Sequence, residues 1–192
     1  WDLVPINNYL DNGISILSSK DFRCMPMVAS RGCPYICNFC SNEQMWGTLY
    51  RMRDPEDIVN ELKYYKKVYK IHGFDLADLT FITNRNWFLQ FANLLKESNL
   101  NLRWNVPNTR TEAIDEEVVK ALNESGCLHL CLAPDSGSEE HIVEMGKRVD
   151  LTHVAKCIRI FQNHSIDLKI NLMMGSPNET HRDIIKTILY GI

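Results

Sequence analysis

Along the chain, short apolar runs alternate with longer stretches whose apolar residues recur every three or four positions, the pattern of strands followed by amphipathic helices. Met25 to Ser30 reads as the first strand. A helix then opens on Asp54-Pro55-Glu56-Asp57, with Asp54 as N-cap, proline at the first helical position, carboxylates in the first turn, and Ile58, Leu62 and Tyr65 as its buried stripe. Phe74 to Ile82 is the second strand, followed by a helix from Asn86 to Glu97. Leu102 to Val106 is the third, followed by a helix from Asp115 to Ser125 that turns Val118, Val119 and Leu122 inward and stops at Gly126. Cys127 to Ala133 is nearly all apolar, as a strand covered on both faces should be. Helical material follows over Ser138 to Met145 and Leu151 to Asn163, then a fifth strand over Ile166 to Met174 and a helix from Glu179 onward. Residues 1–23, with Pro5, Asn7-Asn8 and Asn12-Gly13, read as an irregular linker on the edge of a domain that occupies 24–192.

Alternating βα units predict an α/β fold with a parallel sheet and right-handed crossovers. In such folds ligands bind at the carboxyl ends of the strands. Asp75 and Asp78 fall on the second strand, Trp104 to Arg110 close the third, Asp135-Ser136-Gly137-Ser138 the fourth, and Gly175-Ser176-Pro177-Asn178-Glu179-Thr180 the fifth. With 21 Lys+Arg against 24 Asp+Glu, the formal charge of -3 offers no basic surface for nucleic acid. The sequence has neither a secretory leader nor an apolar run long enough to span a bilayer. Seven cysteines, an odd count, suit free thiols in a reducing cytoplasm.

The loop after the first strand carries the sharpest chemistry. Cys33, Cys37 and Cys40 are spaced CxxxCxxC within Ser30-Arg31-Gly32-Cys33-Pro34-Tyr35-Ile36-Cys37-Asn38-Phe39-Cys40. Three thiolates on one short loop suit a 4Fe-4S cluster whose fourth iron lacks a protein ligand and is open to chemistry. Structural zinc usually takes four ligands in separated pairs, and no second CxxC follows Cys40. Cys24, Cys127, Cys131 and Cys157 lack cluster spacing and read as core thiols.

This loop resembles the signature of the radical SAM (AdoMet radical) superfamily, CxxxCx(aromatic)C, with Phe39 in the aromatic slot. The resemblance implies a curved, partial (β/α) barrel of about six units, of which five are present in this chain. It also implies that S-adenosyl-L-methionine chelates the open iron and is split by one electron to give a 5'-deoxyadenosyl radical. The later segments look like the cobalamin-associated branch, where strand four usually carries ESGS and strand five GFPGET. Asp135 stands for the glutamate, and Ser176 and Asn178 for the phenylalanine and second glycine. Asparagine tolerates the positive φ that the second glycine position implies. By the same resemblance Trp1-Asp2 looks like the join to a cobalamin-binding domain, and the sixth unit lies outside this chain. The implied AdoMet contacts are Phe39, Asp78, Arg110, Asp135, Ser136, Gly175 and Pro177. The partners would be a small-molecule substrate and a reductant such as flavodoxin or ferredoxin.

Local roles compete with several of these. Ser138 suits an N-cap before Glu139 and Glu140, Gly175-Ser176-Pro177 a turn before an Asn178-capped helix, and Arg110 a solvated partner for Glu112. A non-catalytic iron-sulfur carrier and a zinc-binding interaction module are the alternatives of other classes.

Overall fold

The computed structural model describes residues 3–12 and 22–192. The Trp1-Asp2 pair and Gly13 lie outside the described residues. The chain runs α1 (Ile6–Asn12), β1 (Cys24–Met27), β2 (Ser30–Arg31), α2 (Asn42–Met45), β3 (Arg51–Met52), α3 (Pro55–Tyr69), β4 (Gly73–Leu76), α4 (Arg85–Glu97), β5 (Arg103–Thr109), α5 (Glu116–Glu124), β6 (Cys127–Asp135), α6 (Glu139–Glu144), α7 (Leu151–Phe161), β7 (Asp167–Leu172) and α8 (His181–Tyr190).

Five strands form a parallel sheet in the order β1-β4-β5-β6-β7, with helices between successive members. The parallel sheet is the one expected from the βα alternation, and its five sequential strands match the partial (β/α) barrel that the resemblance implies. The caps follow the sequence signals. Asp54 accepts the Glu56 N–H at 2.8 Å ahead of Pro55, Asn84 accepts the Trp87 N–H at 3.0 Å, and Asp115 accepts the Val118 N–H at 2.9 Å. The apolar stripes of α3, α4 and α5 then pack on the sheet around Phe74, Phe81 and Trp104, which stack or meet edge to face at 5.6–6.0 Å between ring centres. Trp104 is fully buried, and its ring N–H donates to the Ser125 carbonyl at 3.0 Å, so the core satisfies its one polar atom there.

Four local expectations need correction. The opening segment is not all irregular, because Ile6–Asn12 is helical and sets Ile6 and Leu10 into the core. The second strand stops at Leu76 rather than Ile82. Past Leu76 the chain turns across the end of β1, where the Ala77 N–H donates to the Met27 carbonyl at 2.8 Å, so Asp78 lies beyond the strand. The third strand runs on to Thr109, and a register shift between Val106 and Thr109 lets the central strand carry Pro107. The last helix is capped by Thr180, not Asn178. Thr180 and Asp183 form a reciprocal capping box, which frees Glu179 for another use. No described helix is long and apolar enough to cross a membrane.

Candidate functional site

The cysteine loop hangs from a neck formed by β2 and β3, which pair Ser30 with Met52 and Arg31 with Arg51. Gly32 makes the neck possible: at φ +84°, its missing Cβ would sit 2.3 Å from the Leu49 carbonyl oxygen. Two asparagines pin the loop. The Asn42 side chain donates to the carbonyls of Cys33, at 3.1 Å, and Gly47, at 3.3 Å. Asn38 donates through its backbone N–H to Met145 at 2.9 Å and through its side chain to Glu144 at 2.7 Å, binding the loop to the end of α6.

The three thiols are free, with Cys33 and Cys37 half-buried and Cys40 exposed. Burial pushes the Cys33 and Cys37 thiols up, while Arg110 pulls both the other way and Lys147 also acts on Cys37. No three metal-binding side chains among the described residues converge on a single ion. A cluster does not require that, because each cysteine ligates a different iron of a structure several ångströms across. An all-thiolate donor set on one loop beside two cations therefore fits an anionic iron-sulfur cluster. On binding iron each thiol would lose its proton, and the bond to the cationic metal would offset the cost of burying a thiolate.

Arg110 is buried and anchored. Its guanidinium lies 3.9 Å from the centre of the Tyr35 ring, within the cysteine loop, and donates to Glu112 and to the Arg148 carbonyl. It is therefore not the solvated arginine that its neighbour Glu112 suggested. Asp135 closes β6 at φ +67°, buried and ion-paired with Lys147, which also donates to the Ala133 carbonyl. The Met173 N–H donates to the Asp135 carbonyl at 2.8 Å, tying the ends of β6 and β7.

The other expected contacts divide. Ser136 faces α8: its hydroxyl lies 3.0 Å from that of Thr187, whose oxygen also accepts the Gly137 N–H at 3.1 Å. Ser138 precedes α6 without capping it through its side chain, and donates instead to Asp183 at 2.5 Å. Asp78 is buried under the start of the cysteine loop, where it accepts from the Ala29 N–H at 3.0 Å and from the Ser30 hydroxyl. Burial raises its carboxyl despite these bonds. Phe39 is 48% exposed, and Gly175 and Pro177 lie on an exposed turn. Gly175 at φ +90° and Asn178 at φ +66° both take the left-handed conformation, as the motif implies. Glu179 accepts the N–H groups of Gly175, at 2.5 Å, and Ser176, at 3.2 Å. Sequence reasoning did not single out Lys147, Asn38, Asn42, His141 or Glu179 as individual contributors. Their roles depend on tertiary neighbours, although Asn38 and Glu179 stood within recognised motifs.

A thiol loop, a buried acid–lysine pair and an anchored arginine thus meet at the carboxyl end of a parallel sheet. The model of the Radical SAM superfamily matches residues 27–190. The chain belongs to the radical SAM superfamily. The cofactors of that family are a 4Fe-4S cluster and AdoMet. The anaerobic magnesium-protoporphyrin IX monomethyl ester cyclase of Rubrivivax gelatinosus is 28% identical over 160 residues, covering 82% of this chain and 28% of the cyclase. The radical S-adenosylmethionine methyltransferase TsrM from Kitasatospora setae, solved with cobalamin and a [4Fe-4S] cluster bound, superposes with a TM-score of 0.73 at 20% identity, over 87% of this chain and 34% of TsrM. The cobalamin-dependent S-adenosylmethionine radical enzyme OxsB, with aqua-cobalamin and S-adenosylmethionine bound, superposes with a TM-score of 0.75 at 17% identity, over 88% of this chain and 26% of OxsB. The chain therefore spans between about a quarter and a third of the length of these proteins.

Proposed function

We propose that the protein containing this chain is a cobalamin-associated AdoMet radical enzyme acting on a small molecule by methyl transfer or radical cyclisation. The observation that carries the reading is the three-thiol loop pinned against the carboxyl end of the sheet, with Arg110 and Lys147 beside it. When bound, the cluster and AdoMet would supply a 5'-deoxyadenosyl radical, and the protein's share is binding, orientation and exclusion of water.

Cys33, Cys37 and Cys40 would hold three irons. Arg110 and Lys147 would offset the negative charge of the cluster, and Arg110 suits the methionyl carboxylate because its planar fork matches one. Asp135, ion-paired with Lys147, would accept from the AdoMet amino or ribose groups. The Gly175–Asn178 turn and Phe39 would supply backbone and apolar contacts. Asp78 and Ser136, already engaged inside the protein, would act by fixing the cysteine loop and the end of β6.

Cobalamin would be held by a domain preceding this chain, a reading supported by the cobalamin in the TsrM and OxsB structures. The electron would come from a flavodoxin or ferredoxin in a reducing cytoplasm. Arg31 and Arg51, like charges directly opposed across the neck of the loop and exposed, have no ion-pair partner among the described residues and suit an acidic carrier.

Product analysis of the full-length protein, anaerobic and reduced, tests the reading. Formation of 5'-deoxyadenosine together with S-adenosylhomocysteine indicates methyl transfer from AdoMet. 5'-Deoxyadenosine alone indicates cyclisation or rearrangement, and neither nucleoside refutes the assignment.

A further inference from the structure

His141 Nε2 and Glu179 Oε1 face each other at 4.0 Å, and neither has a hydrogen-bond partner among the described residues. Both side chains are only 1% exposed. Buried polar atoms in folded proteins are nearly always satisfied, so two that confront one another call for a physical account.

The surroundings supply one. His141 lies on α6, which follows strand β6, and Glu179 lies in the loop between β7 and α8. The other ring nitrogen, Nδ1, is 3.2 Å from Glu144 Oε2. The other Glu179 oxygen accepts the N–H groups of Gly175 and Ser176, so this carboxylate sets the shape of the strand-five turn. Asp183 on α8 is the further charge that faces the ring. An imidazole flanked by carboxylates at both nitrogens can donate to both only when each nitrogen bears a proton.

We propose that His141 is a positioning residue, a clamp that joins Glu144 on its own helix to Glu179 across the gap, and so locks the turn between β7 and α8 to α6. This rests on the reading that the Gly175–Asn178 turn contacts AdoMet. The clamp makes the two cofactor-facing segments one rigid unit.

The test uses NMR on the labelled protein before any cofactor is added, then AdoMet binding after cluster assembly. In the wild type, 15N shifts show a proton on both His141 ring nitrogens, as bonding to a carboxylate at each requires. In His141→Leu, the Gly175 and Ser176 amides exchange at least about tenfold faster, as expected when a local contact is lost. His141→Gln, which keeps one N–H for Glu179, recovers most of the protection and guards against a folding defect in the leucine variant. The AdoMet dissociation constant rises about tenfold in His141→Leu, the scale for one charge-assisted hydrogen bond. Unchanged amide exchange in His141→Leu, or a ring with one bare nitrogen, overturns the clamp. Faster exchange with unchanged AdoMet affinity upholds the clamp and overturns the reading that this turn contacts AdoMet.

Discussion

The cysteine loop follows β1 at one edge of the sheet and the Asp135–Ser138 segment closes β6, with β4 and β5 between them, and the two are held in opposite ways. The loop is tied down at its backbone, by Asn38, Asn42 and the glycine neck, while its functional thiols have no ion or disulfide partner. The segment has every polar group already engaged: Asp135 with Lys147, Ser136 with Thr187, and Ser138 with Asp183. A ligand site needs both kinds of region, one with unspent donors and one rigid enough to hold a shape before the ligand arrives. The loop's variants should therefore fail in binding, and the segment's variants in folding.

The largest effect is expected in the loop. Alanine at Cys33, Cys37 or Cys40 should abolish cluster assembly, read as visible absorbance and iron content, while leaving the thermal melt of the apo-protein nearly unchanged. Alanine at Cys24, Cys127, Cys131 or Cys157 should leave iron content intact. A drop in apo-protein stability for the loop variants would blur the contrast, because it would mean that the thiols also pack.

Next in size is Asp135→Ala. Removing one member of a buried ion pair strands the other, so stability should fall by about 3–5 kcal/mol in denaturant melts, whether or not a cluster is present. Removing both charges in Asp135→Ala with Lys147→Met should recover much of that loss. An Asp135→Ala protein as stable as the wild type would mean that the pair with Lys147 does not hold the fold together.

Asn38→Ala is smaller. It deletes one side-chain bond to the Glu144 carbonyl, about 1 kcal/mol, and should appear as weaker AdoMet binding and faster loop exchange more than as a lower melting temperature. The smallest effect is a pH dependence. Hydrogen bonds from Ser138, and then from Thr180, lower the Asp183 carboxyl to about 2. Its folded value lies below the unfolded one, so its contribution is fully present above the ordinary carboxylate range and fades as pH falls toward about 2. The stability gap between wild type and Asp183→Asn should narrow over that window, and a gap independent of pH would contradict the bonding.

These contrasts also show what was legible in sequence. Caps and apolar stripes are local, so the Asp54 cap and the helices starting near Asn86 and Asp115 could be read closely, although the Asn84 cap was not. The parallel sheet followed from βα alternation, and its sequential strand order from the barrel that the resemblance implies. Strand ends were less legible, because β4 stops where Asp78 reaches back to Ser30 at the start of β2 across 48 residues of chain, a contact no window of sequence contains. The CxxxCxxC loop was visible because a cluster fixes ligand type and spacing. Lys147 was not, since a lysine 12 residues past Asp135 looks like any surface lysine until α6 folds it beneath the sheet end. The same holds for His141, whose meaning comes only from Glu179 on another element.

The central claim is that these three cysteines hold a cluster with one open iron. The most direct measurement is anaerobic reconstitution with iron and sulfide, reduction with dithionite, and assay for 5'-deoxyadenosine on addition of AdoMet. The account predicts about four irons per chain and 5'-deoxyadenosine that depends on both AdoMet and reductant, with both lost in Cys37→Ala. A full cluster and undiminished AdoMet cleavage in Cys37→Ala would contradict it.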